Sequence, residues 1–433
     1  MNREEKSAAA RYGAAFFATL ISYAVVFRSH LAARLGPLRN LAASLAGSTA
    51  LSALPLLEPR LRPERRRALL WVLLSAAALR LASTGPLPLG SDDAYRYLWD
   101  GRVQAHGINP YRDPPQDPKL HALADPTFYP HIFRPDMRTV YPPVAQLWFL
   151  GAYALHSESF CGLQALLLLN ELVALLLLWL LLERLKLPRL RTLYYAWSPL
   201  AITQTAAALH LDALMIPWLL AALLLAEQRP ASAGGCLAVA TMVRPLAALC
   251  LPALLLRRPL RQGTAALGGF SLGCALLVLP YISAGFSMIE SLLSYGEHWR
   301  FNGSLFRLAE LLFSDSSRLR PTLYATIALG SIGIGALRYS RQTRFALALG
   351  LYFALAPTIY PWYLVPLSAL LAIDGGPLAI VLAPAVMLSD LVLVEGIVGG
   401  RWEVPTSALL IEYGVLYSAT LWQLLKAQRQ RRR

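Results

Sequence analysis

The sequence predicts an all-α membrane protein that crosses the bilayer many times. Of its 433 residues, 56% are hydrophobic and 15% are charged, and the mean hydropathy is +0.47. A soluble domain of this composition would expose too little polar surface to stay dispersed. The pattern lacks the alternating strands of about ten residues that a membrane barrel needs. Leucine-rich stretches near the length of a bilayer-spanning helix recur instead, at residues 68–84, 162–182, 213–226, 264–281, 376–394 and 405–425.

The surplus of positive charge marks the cytoplasmic ends of these helices. The formal net charge is +15, and positive residues in short loops are retained on the cytoplasmic side. We therefore interpret the basic clusters as topology signals and expect no nucleic-acid partner. The clusters are Arg62, Arg65, Arg66 and Arg67; Arg257, Arg258 and Arg261; Arg338, Arg341 and Arg344; and Lys426, Arg429, Arg431, Arg432 and Arg433.

These signals predict one transmembrane domain, residues 1–433, with eleven to thirteen spans in the cell (cytoplasmic or inner) membrane. Residues 85–139, called the first loop, and residues 282–321, called the second loop, are predicted to be extracytoplasmic. The basic tail, residues 426–433, is predicted to be cytoplasmic. The predicted spans lie near 12–27, 40–57, 68–84, 264–281, 322–337, 345–357, 361–373, 376–396 and 405–425.

Two stretches complicate this topology. Residues 231–252 have basic flanks on both sides and Arg244-Pro245 near the middle, which favours two half-helices entering and leaving on one side. If residues 141–156 and 160–182 both cross the membrane, the basic turn that follows them lies on the extracytoplasmic side, against the rule that positive residues stay in the cytoplasm. Either one of them does not fully cross or the charge rule fails there, and the sequence leaves both alternatives open.

The four cysteines indicate neither a disulfide framework nor a zinc site. They lie in or beside apolar segments, without a paired CxxC spacing and without histidines at ligand spacing. We expect them to be small buried side chains. They are Cys161, Cys236, Cys250 and Cys274.

Acidic residues concentrate in the first loop, which holds seven of the eleven aspartates. Carboxylates, aromatic rings and amides together suit a site that holds a sugar and deprotonates a hydroxyl. Two adjacent carboxylates cannot project the same way from a regular element, so Asp92 and Asp93 should differ in role. Asp92 is a candidate cap of a short helix. The loop's main motifs are Ser91-Asp92-Asp93-Ala94-Tyr95-Arg96-Tyr97-Leu98-Trp99-Asp100-Gly101 and Gly107-Ile108-Asn109-Pro110-Tyr111.

Polar groups within apolar surroundings are further candidates, because an unpaired charge in a bilayer is costly. His210 and Asp212 interrupt an apolar run, which predicts a turn there. Arg244 beside Pro245 is positioned either to hold a lipid phosphate or to satisfy freed carbonyls. His298 and Arg300 of the second loop are candidate phosphate contacts. A last group frames a lipid entrance or forms an interfacial aromatic belt: Tyr360, Trp362 and Tyr363.

Taken in order, these motifs resemble the bacterial GT-C glycosyltransferases, polytopic enzymes that use polyprenyl-phosphate sugars. The likeness is greatest to the mannosyltransferase-like, family 87-like branch, and it runs from about residue 68 to 425. Besides the two loop motifs, it rests on Val140-Tyr141-Pro142-Pro143, His210-Leu211-Asp212, Arg244-Pro245 and Ala356-Pro357-Thr358-Ile359-Tyr360-Pro361-Trp362-Tyr363.

The resemblance implies a GT-C-type helix bundle that transfers a monosaccharide, mannose favoured, from a polyprenyl-phosphate donor. The acceptor is a lipid or glycan hydroxyl, and the active site faces the extracytoplasmic side. Asp93 matches the family's catalytic base best, and Asp92 is second. Phosphate is a competent leaving group, so one base suffices for inversion. Enzymes with monophosphate donors generally lack a metal, and we expect no cofactor.

The first loop then supplies further predicted contacts. Arg96 would share a helix face with Asp93 and orient it, pair with it, or meet the donor phosphate. Asn109 belongs to a turn and is a possible ligand contact. Rings in the loop either stack on sugar faces or anchor the protein at the interface: Tyr95, Tyr97, Trp99 and Tyr111.

Two other classes compete with glycosyl transfer. A transporter or lipid flippase also has broken helices and intramembrane charge, but it normally shows related halves, and the sequence contains no repeat. A structural membrane protein has no use for the Asp-Asp motif. Direct use of a nucleotide sugar is disfavoured because no phosphate-cradling glycine loop is present.

Overall fold

Helices account for almost all regular structure in the computed structural model, which describes residues 3–28, 38–52, 54, 65–313, 316–392 and 403–432. Isolated bridges joining Phe301 and Asn302 to Thr358 are the exception in these ranges. The all-α prediction is therefore confirmed. The predicted basic turn before residue 65 and the predicted loop at 399–405 lie largely outside the described residues.

The helices of eight residues or more are separated by connections of varied length, the longest of them residues 106–142. They are α1 (Arg3–Arg28), α2 (Arg39–Ser52), α3 (Arg65–Ser83), α4 (Asp93–Ala105), α5 (Pro143–Leu155), α6 (Cys161–Arg184), α7 (Ile216–Leu225), α8 (Pro230–Thr241), α9 (Leu260–Val278), α10 (Ser287–His298), α11 (Leu305–Leu312), α12 (Ser316–Ala336), α13 (Arg341–Leu355), α14 (Val365–Asp374), α15 (Pro377–Val386) and α16 (Thr406–Arg432).

Several of these helices are long and apolar enough to cross a membrane, as a multi-pass membrane protein requires. Four described segments qualify by length and composition, and five if one interrupted pair counts as a span. Shorter apolar helices occupy several other predicted spans, so the count of eleven to thirteen stays a prediction. The four long segments are Ala10–Phe27, Cys161–Arg184, Leu260–Ala284 and Thr406–Lys426.

The length of α5 bears on residues 141–156 and 160–182, for which the charge rule leaves two topologies open. α5 has 13 residues, and at 1.5 Å per residue it is about 20 Å long. The hydrocarbon core is about 30 Å thick, so α5 is too short to cross it, whereas α6 has 24 residues. The structure thus favours the alternative in which the first of these two segments does not fully cross.

Both predicted helix breaks are present. α8 ends at Thr241, and a 3-10 turn restarts at Pro245, which has no N–H with which to continue the helix. The other break precedes the 3-10 turn Leu211–Met215, where Leu209 has a left-handed φ of 62°. That conformation is unusual for a residue with a Cβ and turns the chain sharply before His210.

The chain divides into two compact units. Unit 1 comprises residues 1–85, 172–207 and 359–433. In it α1 packs on α2 and α3, and the rings of Tyr12, Phe16, Trp71 and Trp197 form one cluster.

Unit 2 comprises residues 86–171 and 208–358, and glycines set its closest helix contacts. A Cβ on Gly234 of α8 would lie 1.9 Å from the Ala266 carbonyl oxygen of α9. A Cβ on Gly101 of α4 would lie 2.3 Å from the Phe149 carbonyl oxygen of α5. Because small residues let backbones approach, these glycines hold α4 and α9 directly against their neighbours.

The cysteines are all free thiols, as expected, but they are not uniformly buried. Cys250 is fully buried, whereas Cys161 is exposed at the start of α6. The prediction of a buried side chain is wrong for Cys161, because the first turn of α6 leaves it uncovered.

Candidate active site

The predicted short helix that carries the Asp-Asp motif is α4, and it begins at Asp93. Asp92 occupies the N-cap position, but its side chain makes no capping hydrogen bond. The Ser91 hydroxyl instead accepts from the Asp93 N–H at 3.2 Å. The capping role expected of Asp92 is therefore wrong, and its side chain is exposed while that of Asp93 is half-buried.

Three other segments of unit 2 bring polar side chains to Asp93. His210, at the break before Leu211–Met215, places Nε2 4.0 Å from Asp93 Oδ2. The Tyr141 hydroxyl and the Arg244 guanidinium both lie close enough to Asp93 to lower the pKa of its carboxyl. Residues more than a hundred positions apart therefore converge on one carboxylate.

Arg244 is held in place by Asp212. Arg244 Nε lies 2.8 Å from Asp212 Oδ1, and Nη2 donates to Oδ2 at 3.1 Å. Asp212 is 1% exposed, and the guanidinium also lies 6.0 Å from the centre of the Tyr141 ring. One hydrogen bond and one close ionic contact therefore hold the guanidinium beside Asp212.

The environment of Asp93 makes its carboxyl a weaker acid than usual. Burial raises the pKa of Asp93 to about 6, the positive charge of Arg244 opposes this rise, and the negative charge of Asp212 adds to it. The side chain keeps 29% of its accessible surface, so protein surrounds the carboxylate on most sides while one side stays open. A carboxylate of this kind can accept a proton near neutral pH.

A second polar network fixes α4 against α5. Arg96 Nε lies 2.8 Å from Asp100 Oδ1, and the Gln146 amide donates to Asp100 Oδ2 at 2.9 Å. The Gln104 amide donates to Gln146 Oε1 at 2.9 Å. The ion pair anticipated between Arg96 and Asp93 is replaced by one with Asp100, four residues further along the helix. Its predicted phosphate contact stays a prediction.

The aromatic residues of the first loop are packed among other rings. Tyr95 contacts Phe128, His131 and Phe160, and Trp99 contacts Tyr129. Both are buried. Stacking on a sugar would require these neighbours to move, because they cover the ring faces. The rings therefore contribute to the core of the first loop in this structure.

Asn109 and Tyr111 also connect parts of unit 2. The Asn109 side chain accepts from the Tyr111 N–H at 3.1 Å and donates to the Tyr281 carbonyl at 3.2 Å. The Tyr111 hydroxyl donates to the Tyr141 carbonyl at 2.7 Å. The predicted turn at Asn109 is present, and the hydroxyl of Tyr111 supports the backbone of a residue that contacts Asp93.

The second-loop candidates make local contacts. His298 Nδ1 lies 2.9 Å from the Ser294 carbonyl oxygen, and Arg300 Nη1 lies 3.6 Å from Glu310 Oε1. Both residues are exposed. Their predicted contact with the donor phosphate stays a prediction.

The aromatic candidates near the C-terminal end form a cluster within unit 1. The rings of Tyr360 and Trp362 stack with centroids 4.4 Å apart, and Tyr363 packs edge-on against both. These contacts do not decide between a lipid entrance and an interfacial aromatic belt, and both stay predictions.

Sequence reasoning missed two contributions to the site. Tyr141 enters the sequence predictions only within the Val140-Tyr141-Pro142-Pro143 motif; Pro142 and Pro143 begin α5, and the Tyr141 hydroxyl reaches Asp93. Two consecutive prolines fix the backbone after Tyr141, and this rigidity was the available signal. Gln146 carried no signal, because its partner Asp100 is identified only by the packing of two helices.

The chain is similar to known proteins in sequence and in fold. No curated protein matches the sequence. The crystal structure of ArnT from Cupriavidus metallidurans bound to undecaprenyl phosphate is similar, with a TM-score of 0.49 and 15% identity over 84% of this chain and 73% of that one. A family model described as the N-terminal domain of alpha-(1->6)-mannopyranosyltransferase matches residues 8–258. This match covers more than half of the chain and includes Asp93, His210, Asp212 and Arg244. The chain therefore belongs to the alpha-(1->6)-mannopyranosyltransferase family, a family of glycosyltransferases.

Proposed function

We propose that the protein transfers a monosaccharide, mannose favoured, from a polyprenyl-phosphate donor to a hydroxyl of a lipid or glycan, with Asp93 as the general base. One observation carries this proposal: His210, Tyr141 and Arg244 converge on a half-buried carboxylate with one open side. The donor class follows from the resemblance of the motifs to enzymes that use polyprenyl-phosphate sugars. Membership of a mannosyltransferase family supports the sugar.

The proposed reaction is a single displacement. Asp93 takes the proton of the acceptor hydroxyl while the acceptor oxygen forms a bond to the anomeric carbon. The bond from that carbon to the phosphate oxygen breaks, and its electrons leave with the polyprenyl phosphate. Attack opposite the leaving group inverts the anomeric configuration. Since the phosphate leaves as an anion, this step needs no second carboxylic acid.

Arg244 is proposed to stabilise negative charge and not to transfer a proton. Its guanidinium lies within the electrostatic reach of Asp93, and Asp212 holds it through one hydrogen bond and one close ionic contact. A fixed guanidinium suits a phosphate that gains charge as the bond to the sugar breaks. His210 Nε2 lies 4.0 Å from Asp93 Oδ2, so it is a second side chain beside the proposed base.

We propose that the reaction requires no metal ion. The carboxylate oxygens of Asp100 contact Arg96 and Gln146, and those of Asp212 contact Arg244. Positive side chains therefore already neutralise two of the carboxylates that a metal would need. The expected result is that an excess of EDTA leaves the rate of sugar transfer unchanged. Loss of activity with EDTA and its recovery with a divalent cation would contradict this proposal.

The first loop, and with it Asp93, is proposed to lie on the extracytoplasmic side of the cell membrane. The basic clusters at the other ends of the predicted spans support this orientation. Labelling of Cys substitutions in the first loop with a membrane-impermeant maleimide in intact cells tests it. If the maleimide does not label Asp117→Cys, which lies in the exposed part of the loop, the proposed orientation is wrong.

A panel of polyprenyl-phosphate sugars tests the function directly. The purified protein in proteoliposomes, supplied with membrane-lipid extract as acceptor, should consume one donor, release polyprenyl phosphate and form a product of inverted anomeric configuration. Nuclear magnetic resonance of the product gives the configuration. Retention of configuration would exclude the single displacement. Consumption of no donor together with lipid scrambling would instead identify a transporter.

A further inference from the structure

Two short helices of the second loop expose apolar stripes. On α10 and the residue preceding it, Phe286, Ile289 and Leu293 are exposed at spacings of three and four, which place them on one face. The buried residue Ser291 lies on another face of the same helix. α10 is therefore amphipathic, with its apolar face turned away from the protein.

The stripe on α11 is stronger. Leu305, Leu308, Leu311 and Leu312 follow the same helical spacing, and Leu311 and Leu312 are 81% and 75% exposed. Phe306 faces the other way and is buried. An exposed eight-residue helix is not stable in water by itself. A soluble loop would also gain nothing from exposing four leucines on one face, so this stripe requires a covering.

The position of α10 and α11 in the chain indicates what covers their apolar stripes. The candidate span Leu260–Ala284 is only 11% buried within the protein, so its apolar surface faces lipid. Leu279 and Ile282 at its end are exposed, and Phe286 follows two residues after the span. The apolar surface of the span thus continues without a gap onto the face of α10.

Charge next to the stripes agrees with a lipid covering. Arg300 lies between α10 and α11, and Arg307 lies beside the leucine stripe of α11; both are exposed. Basic residues at the edge of an apolar stripe are attracted to anionic headgroups.

We propose that α10 and α11 lie in the plane of the membrane interface, with their leucine and phenylalanine stripes among the lipid acyl chains. The second loop, which the sequence predicts to be extracytoplasmic, is then a membrane-surface element. The partner is the lipid bilayer itself, and anionic headgroups meet Arg300 and Arg307.

This placement fixes the height of the first loop above the membrane. Arg138 of the first loop pairs with Glu290 of α10 at 2.5 Å, Arg134 lies over the Trp299 ring at 5.6 Å, and Asn109 donates to the Ser283 hydroxyl at 3.2 Å. Because the first loop carries Asp93, these contacts connect Asp93 to a segment that lies on the lipid. This inference does not depend on the proposed function, because it concerns lipid contact and not catalysis.

Site-directed spin labelling tests the proposal in the full-length protein. The native cysteines are replaced by Cys161→Ser, Cys236→Ala, Cys250→Ala and Cys274→Ala, and single cysteines are introduced in proteoliposomes that contain anionic lipid. The expected result is that labels at Ile289, Leu293, Leu308 and Leu311 collide more with oxygen, which partitions into lipid, than with a water-soluble nickel chelate. The control position Lys119, whose side chain in the first loop is 75% exposed, should show the reverse preference.

The remaining outcomes overturn the proposal. Higher collision with the nickel chelate at the leucine positions would place the stripes in water. Low collision with both reagents would mean that protein, such as a second copy of the chain, covers them. If the cysteine-free variant does not fold, a photoreactive benzoylphenylalanine at Leu308 or Leu311 in the native background answers the same question. It should form a lipid adduct, and a protein adduct or no adduct would contradict the proposal.

Discussion

At the scale of single residues, the proposed role of Asp93 as general base predicts that the rate of transfer depends on pH. With a pKa of about 6, raised mainly by burial, the carboxyl is ionised at neutral pH and protonated below pH 6. A protonated base cannot accept the hydroxyl proton, so kcat/KM for the donor should fall about tenfold per pH unit below this value. A pH profile of initial rates measures this fall, and a profile that stays flat well below pH 6 would contradict it.

Asp92 supplies the control for this profile. Its negative charge raises the pKa of Asp93, so Asp92→Asn should keep activity at neutral pH and move the acidic limb to lower pH. If Asp92→Asn abolishes transfer while the protein stays folded, the base is Asp92 and the assignment must be exchanged.

The Arg244 and Asp212 pair predicts a non-additive effect. Arg244→Gln leaves the carboxylate of Asp212, 1% exposed, without its cationic partner, and breaking a buried pair in this way costs about 3–5 kcal/mol of stability. The double variant Arg244→Gln with Asp212→Asn should regain most of that stability but not the activity. Thermal unfolding in detergent and the transfer assay measure the two effects. Recovery of both would reduce the pair to a structural role.

At the scale of elements, the contact between α4 and α5 determines where Asp93 lies. A Cβ on Gly101 would lie 2.3 Å from the Phe149 carbonyl oxygen, and backbone cannot move aside as a flexible side chain can. Gly101→Ala should therefore force the helices apart and lower both the unfolding temperature and the transfer rate. Gly151→Ala is the matched control, because its nearest neighbour atom is 3.6 Å away. Equal effects of the two changes would contradict this account.

The helices themselves were largely predictable from the sequence. Apolar length and flanking charge placed a span at 68–84, and α3 covers Arg65–Ser83. Proline at residue 245 and the polar residues at 210 and 212 placed both breaks, because each feature acts locally on the backbone. The leucine stripe on α11 is also readable from the spacing of its residues along the chain. It is missed when a segment is classified only by its number of polar residues.

The partners of the polar side chains were less predictable. Arg96 lies three residues from Asp93 and four from Asp100, and both spacings suit a helical ion pair. Packing against α5 decides between them, because Gln146 of that helix joins Asp100. The contact of His210 with Asp93 depends on folding across more than a hundred residues, and the spacing of residues along the chain does not encode it.

At the scale of the whole molecule, composition fixed the class and the family match fixed the enzyme type. Hydrophobic content alone predicts a membrane protein, and the described segments Ala10–Phe27, Cys161–Arg184, Leu260–Ala284 and Thr406–Lys426 agree. The number of spans is harder to predict, because helices such as α5 are apolar but shorter than the bilayer. A short helix in a bundle can be covered by protein at one end and by lipid at the other.

The account as a whole depends on Asp93 being the base. The most direct measurement is the rate of sugar transfer by Asp93→Asn relative to wild type in proteoliposomes at pH 7.5, with Asp136→Asn, an exposed residue of the same loop, as the control. The account predicts a loss of about 10²- to 10⁴-fold for Asp93→Asn, an unchanged rate for Asp136→Asn, and an unfolding temperature no lower than that of wild type for both. Transfer by folded Asp93→Asn within a few-fold of the wild-type rate would contradict it.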